Sequence, residues 1–381
     1  MSIARDLPVR EVSMSNPSFL LGLTGLNLGG GIAVVARSVN RALGEEVAAG
    51  RASLVDRVLL HDSVEGGSPP SPGGECHLAR GSHARMVWQL WRCHRRRRHD
   101  WVFFDQLGLA RAAQLPLPGF PPSRYAIFCH GIELDRVRPS GSRRASLLGA
   151  RRLLCNSDHT AAVVGARFPE VADRVRVVSL CIDQERARAW ERLPPPPRAA
   201  NREPVVMIVG RMWSEEPGKG HDALIAAMTE VRRTHPEAQL WVVGDGDARA
   251  HLEAKARRVA PPGSVIFLGR LSDAELTDRY RRAAVFAMPS RQEGFGLVYA
   301  EAMWHGLPCV GSTADAAGNV IEDGATGLLV PYGNAQELAK AVSRLLGASQ
   351  LRDHMGERAA RRARERFGFA RFKEDLLHGL E

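Results

Sequence analysis

The sequence predicts an α/β protein of two doubly wound domains, and three observations carry that prediction. At 381 residues the chain is too long for one ordinary hydrophobic core and suits two domains of common size. Short apolar segments alternate with stretches of helical periodicity through both halves, the pattern of a mostly parallel sheet. Between the halves Leu193, Pro194, Pro195, Pro196, Pro197 and Arg198 interrupt the alternation, because consecutive prolines join neither a helix nor a central strand. The expected division is a first domain over 17–192, a proline-rich linker over 193–200 and a second domain over 201–366.

The elements follow in order. The apolar segment 19–23 leads into a glycine loop at Gly29, Gly30 and Gly31, then into Ile32, Val35, Ala36, Val39 and Leu43 at helical spacing: strand, loop, helix. Further apolar segments lie at 101–104, 125–128, 152–155 and 175–178. Beyond the prolines, five strands are expected at 205–209, 240–243, 265–268, 285–288 and 308–310. Helices are expected from about His221, over 248–259, from Ser272 and from Leu297. Ligands of such sheets bind beyond the carboxyl ends of the strands, which directs attention to the loops after Val209, Val243, Met288 and Val310.

Composition bounds the function. Hydrophobic residues at 44% and charged residues at 25% suit a soluble globular protein, and no apolar run approaches the roughly 20 residues that span a bilayer. The N-terminal stretch lacks the continuous apolar core and small-residue cleavage site of a secretory signal, so a cytoplasmic location is expected. Cys76, Cys93, Cys129, Cys155, Cys181 and Cys309 are scattered without CxxC pairing and read as reduced, mostly buried thiols rather than a disulfide framework. A net charge of +10 implies anionic partners without choosing among nucleic acid, acidic lipid and sugar nucleotide. The arginine-rich stretch 358–366 reads as a solvated helix face.

The strongest constellation is Arg291, Gln292, Glu293, Gly294, Phe295, Gly296, Leu297, Val298, Tyr299, Ala300 and Glu301, between a strand and a helix. Glycines 294 and 296 let the backbone approach a ligand, and the N–H groups opening the helix can hold a diphosphate with help from its dipole. Glu293 can face a sugar from the loop while Glu301, about one turn into the helix, reaches ribose hydroxyls. The plain alternative is a helix N-terminus with ordinary acidic residues. Gly210 and Arg211 after the first strand of this domain, and Lys219 and Gly220 before its first helix, put two cations at the same edge, where they could neutralise a leaving diphosphate. A nucleoside triphosphatase loop is rejected: Trp213 stands where its first glycine belongs, and no Ser or Thr follows Lys219.

With these motifs in sequence, and with Val243, Gly244, Asp245 and Gly246, Pro289 and Ser290, Gly306, Leu307 and Pro308, and the run from Glu322 to Gly327, the chain resembles glycosyltransferase family 4, the large retaining group with the two-domain GT-B fold. The resemblance covers nearly all of the second domain. It implies that Arg211 and Lys219 bind the diphosphate of a nucleotide-sugar donor, that Glu293 contacts donor-sugar hydroxyls, that Glu301 binds the ribose, and that the phosphates rest on the backbone around Gly296, Leu297 and Val298. In the first domain it implies that Gly30 and Gly31 approach the donor phosphates, that His130, in the run Cys129, His130, Gly131, meets the transferred sugar, and that the last helix, 367–381, crosses back onto this domain. A lone histidine after an apolar strand is otherwise more often structural. Asn156, Ser157 and Asp158 match a family position expected to fix a loop. The chain departs from the family at the longer loop from Met212 to Gly218, and at 312–319, where many relatives carry paired glycines followed by Pro-Glu.

The implied reaction transfers a hexose from a UDP or GDP donor with retention, without a protein nucleophile. Rate is then owed to positioning and electrostatics, and a carboxylate pair of glycosidase type is not required. No cofactor is expected, nor a metal, since Cys76, His77, His83, Cys93 and His94 lack zinc spacing. The expected acceptor is a lipid-linked or saccharide intermediate of surface glycan synthesis. Segment 82–100 places Val87, Leu90, Trp91 and His94 on one helical face, with Arg85, Arg92 and Arg96 opposite and Trp88 flanking. It reads either as a peripheral contact with an anionic membrane or as a surface helix whose apolar face packs on the sheet. Nucleic acid is not expected, because the run Arg95 to Arg98 comes without a recognised module. A nucleotide-sugar epimerase of the same fold and a catalytically silent sugar-nucleotide-binding scaffold are the competing readings.

Overall fold

The computed structural model describes residues 16–62, 74–118, 120, 124–138 and 140–381; most of the N-terminal stretch, on which the expectation of no secretory signal falls, lies outside them. Two wholly parallel sheets form the two domains. The first contains β1 (Ser18–Leu23), β2 (Leu54–Leu59), β3 (Cys76–Leu78), β4 (Trp101–Phe104), β5 (Tyr125–Cys129), β6 (Arg152–Cys155) and β7 (Val175–Val177), in the order β3-β2-β1-β4-β5-β6-β7. The second contains β8 (Val205–Val209), β9 (Gln239–Val243), β10 (Val265–Gly269), β11 (Val285–Ala287), β12 (Cys309–Ser312) and β13 (Gly327–Val330), in the order β10-β9-β8-β11-β12-β13. Central strands such as β1, β4 and β5 are buried along nearly their whole length, as strands covered by helices on both faces must be.

The second sheet has six strands where five were expected, because the edge strand β13, half-buried at Leu328 and Leu329, is too short to stand out. In the first sheet β2 carries the buried charges Asp56 and Arg57, which break its apolar signal. Asp56 is met by His99 at 2.9 Å and Arg97 at 3.0 Å, and Arg57 by Asn40 at 3.2 Å.

Helix ends obey local chemistry. Ser272 and Glu275 form a reciprocal capping box on the helix Asp273–Arg282, and Ser157 caps the helix Asp158–Arg167. The helix Gln184–Glu191, just before the prolines, seats Trp190 against the second domain: Nε1 donates to Thr277 at 2.9 Å and the ring meets His305 at 4.6 Å. Arg281 donates to the carbonyls of Pro194 and Pro195, and buried Arg202 to those of Tyr280, Ala283 and His305. The proline run is therefore pinned rather than loose. The last helix, Phe369–Leu380, packs on the helix Gly31–Ala48 and on β6 and β7, with Lys373 paired to Glu45 and Glu46 at 2.9 Å each.

The basic segment forms the helix His83–Arg97. Met86, Leu90, Cys93 and His94 are buried against the sheet, and Trp91 donates to Pro118 O at 3.0 Å. Its apolar face is thus consumed by the domain. What stays outside is Trp88, 49% exposed beneath Arg92, with Arg85, Arg95 and Arg96 beside it. Five of the six cysteines are buried and Cys76 is exposed, all as free thiols. No helix among the described residues is long and apolar enough to cross a membrane.

Candidate active site

Strand order reverses between β1 and β4 in one sheet and between β8 and β11 in the other. Chains leaving neighbouring strands in opposite directions open a crevice at each reversal, and ligands of such sheets bind there. The expected site residues lie in these loops or in the elements beside them.

After β8, Arg211 is more than half exposed, with its guanidinium 4.3 Å from the Trp213 ring and Nη2 2.9 Å from Glu216. Lys219 behaves differently: its Nζ lies 2.5 Å from Glu293 Oε2, and both side chains are mostly buried. The structure therefore joins Lys219 to Glu293, while Arg211 lies along its own loop. Glu293 is anchored through its backbone. Its N–H donates to Asp315 Oδ2 at 3.0 Å, and its carbonyl accepts from Ala316 N–H at 3.1 Å. Asp315 also accepts the Ser290 hydroxyl at 2.6 Å. Burial pushes the Asp315 carboxyl up, opposed by those same donors.

The next residue makes the closest approach in the cleft. A β-carbon on Gly294 would overlap the carbonyl oxygen of His130, so only glycine fits there. Phe295 is buried edge-on to Phe367 at 5.5 Å. Gly296, at φ 91°, turns the chain into the helix Leu297–Trp304. The first N–H groups of a helix have no intrahelical acceptor, so those around Leu297 and Val298 can meet an anion. Glu301, one turn on, is only 8% exposed. Its Oε1 lies 2.5 Å from Arg186 Nη1 and its Oε2 accepts from Tyr280 OH at 3.1 Å. Burial raises this carboxyl, with Arg186 and Tyr280 opposing.

The first sheet supplies the other wall. Open space surrounds Gly29 and Gly30, and a β-carbon on Gly31 would lie 3.9 Å from Leu297 Cδ1, so the glycine loop faces the start of the motif helix. Asp105, just after β4, is fully buried and accepts from Thr24 N–H at 2.6 Å and Thr24 Oγ1 at 3.0 Å. Burial pushes its carboxyl up to about 7. The Asp105 carbonyl accepts from His130 Nε2 at 2.7 Å. Since a carbonyl only accepts, Nε2 carries a proton, and in the neutral ring Nδ1 is then an acceptor. Asn156 Nδ2 donates to the His130 carbonyl at 3.1 Å, and Ser157 Oγ donates to the Gly294 carbonyl at 2.8 Å. His130 and Gly294 are thereby held against each other by the Asn-Ser pair, which joins the domains as well as capping a helix.

A hollow of about 130 Å³ beside this contact is lined by Gly131, Ile132, His159, Arg291 and Gln292. A second, about 660 Å³, opens at Arg186 between Leu26, Asn27, Trp190 and Asp273. Asp105, Arg186, Tyr280 and Asp315 were not expected from sequence. Asp105 follows directly on an apolar segment and Asp315 sits in the divergent 312–319 loop, which are usable signals; Arg186 and Tyr280 carry none.

Residues 203–348 match the family model of glycosyl transferases group 1. The alpha-D-kanosaminyltransferase of Streptomyces kanamyceticus is 34% identical over 41% of this chain and 40% of its own length. A GDP-mannose-dependent monoacylated alpha-(1-6)-phosphatidylinositol monomannoside mannosyltransferase of Corynebacterium glutamicum is 38% identical over 37% of this chain and 38% of its own. The chain thus spans about half the length or less of such curated relatives. Among solved structures, the sucrose-phosphate synthase of Thermosynechococcus elongatus superposes with a TM-score of 0.74 at 22% identity, covering 95% of this chain and 98% of that one. Anabaena HepE, solved with UDP and glucose, superposes with a TM-score of 0.69 at 19% identity, covering 95% and 99%. The fold is accordingly that of GT-B glycosyltransferases: two Rossmann-like domains across a cleft.

Proposed function

We propose that the chain is a retaining glycosyltransferase of family 4 that moves a hexose from a UDP- or GDP-linked donor to an acceptor hydroxyl. The observation that carries this reading is the meeting of Lys219 and Glu293 at one crevice with His130 directly across it. A leaving diphosphate gains negative charge as its bond to the sugar breaks. Lys219 and the N-terminus of the helix Leu297–Trp304 oppose that charge from where they stand, and Arg211 joins them by turning away from Glu216 and Trp213. Glu293, held from both backbone sides, accepts from donor-sugar hydroxyls. Each oxygen of Glu301 has a lone pair beyond those facing Arg186 and Tyr280, so ribose hydroxyls bind there without breaking either contact. His130 faces the sugar from the glycine-loop side and, with Nε2 engaged, offers Nδ1 as an acceptor. No step needs a metal, and chelators are expected to leave transfer intact.

The named activities of relatives, among them transfer to phosphatidylinositol monomannoside, support a lipid-linked or saccharide acceptor. We place the enzyme in the cytoplasm, touching an anionic membrane peripherally through Trp88, Arg85, Arg92 and Arg96.

The test is a thermal-shift panel with UDP, GDP, ADP and dTDP on wild type and Glu301→Ala. The variant strands Arg186, so its own melting point falls and the ligand-induced rise above that baseline is the readout. Stabilisation by one nucleotide, shrinking in the variant, supports the assignment. No response to any of the four overturns it.

A further inference from the structure

The turn after β12 touches both domains. At one end Asp315 and Ala316 hold Glu293 by its N–H and its carbonyl, and Asp315 Oδ1 takes the N–H of Ala317 at 3.0 Å. At the other end Asn319 reaches the first domain. Its Nδ2 donates to Asp158 Oδ2 at 3.0 Å, and its Oδ1 accepts the N–H of His159 at 3.3 Å. Asp158 and His159 open the helix capped by Ser157, the residue that also donates to Gly294. The turn has little slack. Arg362 donates from Nε to Val320 O at 2.8 Å and from Nη2 to Asn319 O at 3.1 Å, and its Nη1 pairs with Glu322 at 2.5 Å.

We propose that this turn couples the seating of the first domain to the placement of Glu293, with Asn319 registering the other domain and Asp315 and Ala316 fixing the glutamate. Only a few residues separate the two ends, and close-packed segments shift as units rather than deform smoothly. When the domains seat, Asn319 is drawn onto the helix at Asp158 and the Glu293 backbone is fixed. When they part, that tie is lost, and the turn that holds Glu293 through Asp315 and Ala316 is anchored only within the second domain. Asp315 and Asn319 are therefore positioning residues, and their consequence for catalysis rests on the reading that Glu293 contacts the donor sugar.

The hydrogen-bond pair at Asn319 can be reversed, which makes the test specific. Asn319→Ala is expected to lower transfer kcat roughly three- to tenfold while leaving UDP or GDP affinity within about twofold. Asn319→Asp alone sets two carboxylates together and is expected to do at least as much harm. Combined with Asp158→Asn it exchanges donor and acceptor, and kcat is expected to return to within about twofold of wild type. Asp315→Asn removes the charged acceptor and is expected to cost roughly ten- to hundredfold in kcat with nucleotide affinity kept. Amide hydrogen exchange at Glu293 gives a second readout independent of chemistry: faster in Asn319→Ala, restored in the exchanged pair. The coupling is overturned if Asn319→Ala changes neither kcat nor exchange, or if the exchanged pair fails to restore both. A wild type indifferent to nucleotides whose Glu293 exchange still answers to Asn319 would sink the donor reading and keep the coupling.

Discussion

The two domains share strand order, parallel pairing and a crevice at the reversal, yet they arm those crevices differently. The second domain concentrates charge: Lys219 on Glu293, Arg211 on Glu216 and Glu301 on Arg186. The first contributes an open glycine loop, a histidine tied by Nε2 to a carbonyl and an aspartate that burial drives toward neutrality. Topology thus sets where a ligand lies, and the residues in the loops set what happens to it. In the reaction we propose, one domain opposes the charge of a departing diphosphate while the other shapes the face from which an acceptor arrives.

The sharpest way to break this division is to compare one residue from each side. Lys219→Ala is expected to lower transfer about 10²- to 10³-fold and to weaken nucleoside diphosphate binding, as loss of a preorganised charge does. His130→Ala is expected to cost less, roughly ten- to hundredfold in kcat, with nucleotide binding kept. Steady-state kinetics beside calorimetric titration with UDP and GDP separate the two, and equal loss of nucleotide affinity in both would dissolve the division. Next comes the contact between the domains. Gly294→Ala drives a methyl group into the His130 carbonyl, so transfer is expected to fall about tenfold through incomplete closure while the second domain still binds nucleotide.

Stability against pH distinguishes the domains with opposite sign. Asp105, near 7 when folded against an ordinary 3.8, contributes stability at low pH that is lost as pH rises through about 7. His305 is held down to about 3 against an ordinary 6.5, first by burial and then by Arg281, Arg202 and other arginines. It contributes stability that is fully present above pH 6.5 and is lost as pH falls from there through about 3. Melting curves between pH 4 and 8 should show the first slope removed by Asp105→Asn and the second by His305→Gln. The smallest effect lies on the outer surface. With the apolar face of the basic helix already buried, Arg92→Glu should weaken sedimentation with phosphatidylserine vesicles by about 1 to 2 kcal/mol and leave transfer to a soluble acceptor unchanged.

Most strands were legible because a parallel strand covered on both faces must be apolar, as at 101–104 and 205–209. Three escaped: β2 buries Asp56 and Arg57 in pairs that sequence does not display, and β3 and β13 are short edges. Glu293, Gly294, Gly296 and Lys219 stood out because anion-binding loops at helix starts need particular residues at particular spacing.

By itself, then, the sequence determined the two parallel α/β halves, the proline break and the loops that hold charge, since periodicity and glycine placement act within a few residues. Tertiary structure alone decided that Lys219 meets Glu293 while Arg211 turns to Trp213, that Glu301 is taken up by Arg186 and Tyr280, and that Asp105 and Asp315 stand behind the two walls of the cleft. It also decided that the basic helix spends its apolar face on its own sheet. The physical reason is distance along the chain. Except for Arg211 on Trp213, these contacts join residues tens to more than a hundred positions apart, and an ionic or hydrogen-bonding side chain carries no local pattern that names its partner until folding buries the two together.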